Sequence, residues 1–186
     1  MPTLFILLTK SKTLLSRVIS LATGAQYTHV SIGLTYTDEF YSFARQRPHF
    51  PLPAGFVREE LSGGYWKSHP RTPCCLLSLP VDPSAYDQIC GRLCDMVLHT
   101  QDYRYNLLGI LRCAFSIPSQ QNQSYFCSQF IGELLAESGI CRALDEPSLL
   151  HPDDFLALPN ADHCYYGTVG DLALRIQAAR CRPHLR

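Results

Sequence analysis

Two short segments hold residues whose types could do covalent chemistry together. They are Tyr27-Thr28-His29-Val30-Ser31-Ile32-Gly33-Leu34 and Tyr125-Phe126-Cys127-Ser128-Gln129-Phe130. The first reads as a strand carrying a histidine, the second as the opening turn of a helix carrying a cysteine. A thiol at a helix N-terminus ionises easily, because the unpaired backbone N–H groups there favour negative charge. A histidine brought alongside can take and return its proton, the pairing needed for nucleophilic catalysis. The plain alternatives are a histidine satisfied in the core and an inert buried thiol. Two features stand against them. His29 alternates with Val30, Ile32 and Leu34 and shares its face with Ser31 and Gly33, whose small side chains leave room for something to approach. Cys127 opens its helix, whereas Cys90 and Cys94 fall within one.

The surrounding elements must bring the pair together. Residues 4–8 read as a buried strand, and apolar residues at helical spacing predict a helix over 11–22, stopped by Gly24. Period two sets in over 27–34, and residues 40–43 read as the return strand of a hairpin. From 45 to 73, five prolines, three glycines and little periodicity predict a loop insertion bordering a functional site. A strand over 74–79 follows. The next helix begins after Pro83, with Tyr86, Ile89, Cys90, Leu93, Cys94 and Val97 on its inward face. Residues 106–115 form a second, apolar helix. Ser124 or a neighbour caps the Cys127 helix, which Gly139 ends. A capped turn at 151–155, a strand over 165–169, a helix over 171–180 and a basic solvated tail, 180–186, complete one domain.

Composition excludes several functions. The 186 residues suffice for one domain with a real core, and 16 basic residues balance 16 acidic ones, so nothing points to a nucleic-acid partner. No stretch is long enough to span a membrane. The nine cysteines are odd in number and lie in a chain longer than small disulfide-stapled domains, which together with the lack of a secretory signal suggests a reducing cytoplasm. Adjacent Cys74-Cys75 and the i, i+4 pair Cys90/Cys94 do not have zinc-ligand spacing, and no cofactor fingerprint is present.

The strand Tyr-Thr-His-Val-Ser-Ile-Gly-Leu, the downstream Tyr-Phe-Cys-Ser-Gln-Phe-Ile-Gly-Glu-Leu-Leu and the order histidine before cysteine, 98 residues apart, resemble the circularly permuted NlpC-like branch of the papain-fold cysteine hydrolases. That branch includes the YiiX/YebB-like proteins and the lecithin:retinol acyltransferase group. The resemblance spans roughly residues 3–169 and implies an α+β fold, with an antiparallel sheet packed against helices and His29 facing Cys127 across a cleft. It also implies a third polar residue on the strand after the histidine, for which Ser42 is the first match and Tyr41 the next. Neither holds an imidazolium as a carboxylate would. Glu59 and Glu60 could contribute from the loop, though such a pair is ordinarily solvated. Tyr27 could add a hydroxyl to the oxyanion hole, line the cleft or simply pack, and the Cys127 backbone N–H is a natural oxyanion donor. Phe50, Phe56, Tyr65 and Trp66 wall the cleft or close the core.

The expectation is thus a cysteine hydrolase cleaving an amide, in a peptide or small molecule, through a thioester. One rival is a lipid acyltransferase or deacylase using the same residues, which would need an apolar channel or membrane-docking surface. No amphipathic anchor stands out in the sequence. The other rival is a binding module in which catalysis has decayed.

Overall fold

The computed structural model describes residues 1–11, 24–45, 54–118, 123–141 and 146–181. The helix expected over 11–22, Phe50 and most of the basic tail lie outside them. The fold is α+β: a curled eight-stranded mixed sheet packed with helices. The strands are β1 (Thr3–Thr9), β2 (His29–Gly33), β3 (Glu39–Arg45), β4 (Ala54–Glu60), β5 (Pro73–Pro80), β6 (Arg104–Tyr105), β7 (Ser124–Tyr125) and β8 (Asp162–Thr168). They lie in the order β7-β6-β4-β3-β2-β1-β5-β8, all antiparallel except the β6/β7 pair.

β1 shows why a continuous apolar run belongs mid-sheet. Leu4, Ile6 and Leu8 enter the larger core, while Leu7 enters a second core on the other face, so neither set can be polar. Two helices supply the first core: α2 (Pro83–Leu98) and α4 (Cys127–Glu137). The second is closed by Trp66 of α1 (Gly64–Ser68) and by Val169, Leu172, Ala173 and Ile176 of α5 (Val169–Arg180). A further helix, α3 (Leu107–Ala114), is N-capped by Asn106, whose side chain accepts from Gly109 N–H at 2.7 Å.

Three expectations need correction. The 45–73 segment is not one loop, because it holds β4, paired residue for residue with β3 from Glu39↔Glu60 to Arg45↔Ala54, and then α1. The strand pattern is concealed because Arg58, Glu59 and Glu60 are charged; only Phe56 marks the core side. On α2 the buried row is Ala85, Ile89, Leu93 and Met96, with Cys94 and Val97 exposed, so the apolar stripe is rotated from the face expected. Ser124 belongs to β7 and caps nothing: the N-cap of α4 is Phe126, with no side-chain bond to the first turn.

Candidate active site

Cys127 is the first residue of α4, and His29 is the first of β2. Packing of Phe130, Ile131 and Leu134 against Val30, Ile32 and Phe43 brings those two ends together. The His29 ring lies close enough to the Cys127 thiol to be the leading influence favouring its ionisation, and its Nε2 lies 2.9 Å from Glu59 Oε1. With Nε2 turned to Glu59, Nδ1 is the nitrogen left for sulfur. Trp66 lies beside the ring, at 6.3 Å between centroids. The His29 and Glu59 side chains are only 11% and 10% exposed, so the charge pairing operates with little screening by water.

The electrostatics follow from these contacts. Burial by itself disfavours an imidazolium, yet the Glu59 charge and the bonds to Cys127 and Glu59 outweigh it and push the His29 pKa up to about 10. Burial likewise opposes a thiolate. The hydrogen bond and charge of His29, with backbone N–H groups of Val30 and Ser128 directed at the sulfur, overcome that and lower the Cys127 pKa below the ordinary thiol value. The contacts thus shift both groups toward their charged forms, thiolate and imidazolium.

The side chain that bonds the His29 ring is Glu59, not Ser42 or Tyr41. Ser42 Oγ is fully buried and donates to the Val30 carbonyl at 2.7 Å, so it holds strand to strand instead of the ring. Tyr41 stacks on Phe56, toward the other face. Tyr27 is corrected as well. It is 4% exposed, and burial, followed by the charges of Cys75 and Tyr166, pushes its phenol up to about 12, which places it by β5 and β8. Its backbone N–H donates to Asp153 Oδ1 at 2.7 Å, so Tyr27 anchors the start of the histidine strand. The room expected beside Ser31 and Gly33 is also taken: a Cβ on Gly33 would lie 3.0 Å from the Phe40 ring. Phe56 and Trp66 are core residues, at 2% and 3% exposed.

The approach to sulfur is instead a cavity of about 40 Å³ lined by Cys127, Ser128, Thr28, Tyr105, Cys113 and His151, among others. Tyr105 carries no sequence signal beyond preceding the Asn106 cap. Burial, then the nearby Cys127 charge, holds its phenol protonated and able to donate, with Arg45 opposing. The Cys127 N–H occupies the N1 position, where helix geometry provides no carbonyl partner. Among the described residues no cluster of three or more His, Cys, Asp or Glu could hold a metal ion, and no helix is long and apolar enough to cross a membrane.

No family model, curated protein or solved structure matches this chain.

Proposed function

We propose that this protein is a cysteine hydrolase of the permuted papain-like type, cleaving an acyl bond, in the first instance an amide, through a thioester. The single observation that supports it is the buried chain Cys127–His29–Glu59, in which burial disfavours both charges and the contacts restore them. The Cys127 thiolate attacks the carbonyl carbon and a C–S bond forms. The resulting oxyanion is met by the Cys127 N–H and the Tyr105 phenol. As the C–N bond breaks, the His29 imidazolium gives its proton to the departing amine. A water then attacks the thioester and His29 takes its proton; the C–S bond breaks, releasing the acid and restoring the thiolate–imidazolium pair. Glu59 fixes the ring through Nε2 and stabilises the imidazolium throughout.

The test is a panel of short peptides, acyl-amides and phospholipids, with intact-mass detection of an acyl adduct. Wild type should cleave at least one member and carry the acyl group on Cys127. Cys127→Ala should abolish both, and His29→Ala should be nearly as damaging because the two act as a unit. Wild type that cleaves nothing, yet binds a panel member as tightly as Cys127→Ala, would make this a binding module.

A further inference from the structure

The helix beside the cavity is apolar except for Arg112. Its packed side presents Gly109, Ile110 and Cys113, all buried. On the other side Leu107, Leu108 and Leu111 are 45%, 52% and 51% exposed; Phe115, just past the helix, is 77% exposed and Ile117 51%. At 100° per residue, Leu107, Leu108, Leu111 and Phe115 fall within an arc of about 100°. Isolated exposed leucines need no explanation, but a contiguous stripe of this kind marks an interaction site.

Charge indicates what covers it. From Tyr103 to Gly132 the sequence contains two charged residues, Arg104 and Arg112, and no acid. Both arginines are exposed, and Arg112 borders the apolar arc, where its stem can lie along the leucines with its head among anions. An apolar stripe with an exposed arginine at its border complements a surface that is apolar inside and anionic outside. The stripe is also continuous with the site, since Ile110, Cys113 and Ala114 of the same helix line the Cys127 cavity.

We infer that α3 and the turn to Ile117 form an interfacial platform that docks on an anionic lipid surface, setting the mouth of the Cys127 cavity against the bilayer. The helix lies in the interface and does not span it, with its leucines and Phe115 below the headgroups and Arg112 among them. This rests on the hydrolase reading only for its consequence, that the bond cleaved belongs to a lipid-borne acyl group; docking itself needs no catalysis.

Co-sedimentation with vesicles of equal parts phosphatidylcholine and phosphatidylglycerol tests it, using Cys127→Ala so that binding is read without turnover. Docking should weaken roughly a hundredfold when Leu108→Gln, Leu111→Gln and Phe115→Gln are combined. It should weaken about fivefold in Arg112→Gln, and further on neutral vesicles. In the catalytically intact background the triple variant should still cleave any water-soluble panel member at the wild-type rate. Absence of vesicle binding, or binding unaffected by the triple substitution, would overturn the inference. So would light scattering that shows a dimer which the triple variant dissolves and vesicles do not, since the face would then join two copies. Cleavage of a soluble substrate without docking removes this inference alone; docking without any acyl adduct on Cys127 removes the hydrolase reading alone.

Discussion

Cys127 and Cys113 line the same small cavity, and each has a histidine within reach: His29 for the first and, at 3.9 Å, His151 for the second. Their thiols nevertheless go opposite ways. Burial, with the charges of Asp154 and Cys127 adding to it, pushes Cys113 up to about 11, while Cys127 is lowered. A third pair, Cys75 and His163 at 3.7 Å, behaves like Cys113, its thiol raised chiefly by burial. Proximity of sulfur to imidazole is therefore not what activates a thiol here. The differences lie behind the histidine and beneath the sulfur. His29 is backed by a buried carboxylate, which makes it a cation. At His151 the neighbouring acid turns to the backbone instead, Asp154 Oδ2 accepting the His151 N–H at 2.7 Å. Cys127 also opens a helix and receives backbone N–H groups, whereas Cys113 sits near a helix C-terminus and points its S–H at the Leu150 carbonyl, 3.8 Å away.

The sharpest way to break this comparison is to neutralise Glu59. Glu59→Gln keeps the shape and hydrogen-bonding capacity but removes the charge that distinguishes His29 from His151. Turnover should fall by roughly a hundredfold to ten-thousandfold, with KM changed little. Because the folded His29 pKa lies above its unfolded value, the stability it adds is full below about 6.5 and is lost as pH rises through about 10. The gap in thermal stability between wild type and Glu59→Gln should therefore be widest in mild acid and close across that range. A gap that stays constant with pH would mean the carboxylate only packs.

Thiol reactivity comes next. With limiting iodoacetamide at neutral pH, mass mapping should find Cys127 modified at least about tenfold faster than Cys113 or Cys75, and ahead of the exposed Cys94 and Cys181. The Cys113 rate should climb only toward pH 11, while the Cys127 rate should rise at lower pH than that of an ordinary thiol. Equal pH profiles would remove the distinction between the two pairs.

The smallest effect belongs to Ser42. Ser42→Ala loses one buried bond to the Val30 carbonyl and should cost about 1 kcal/mol in denaturant unfolding while leaving turnover within about twofold. A large loss of turnover with stability intact would return Ser42 to the machinery.

Much of the site was legible because it depends on local pattern. Period two placed His29 on a strand opposite Val30 and Ile32, and the apolar run from Phe130 to Leu135 placed Cys127 at a helix start, where peptide geometry itself favours a thiolate. Residues 4–8 read correctly as a buried strand, and the structure buries it on both faces. Glu59 was not legible as the partner of His29, since its strand carries three charges in seven residues and thus no apolar alternation. What makes it a partner is a register running across β3 that brings residues 30 apart within 2.9 Å. The sequence also marks 106–115 as an apolar helix, but periodicity says only which residues share a face. Whether another element covers that face is decided when the chain closes on itself, and here Leu107, Leu108, Leu111 and Phe115 stay exposed. Chain-local geometry thus determined which groups could ionise; long-range packing decided which were given a counter-charge and which apolar surface was left for something else to meet.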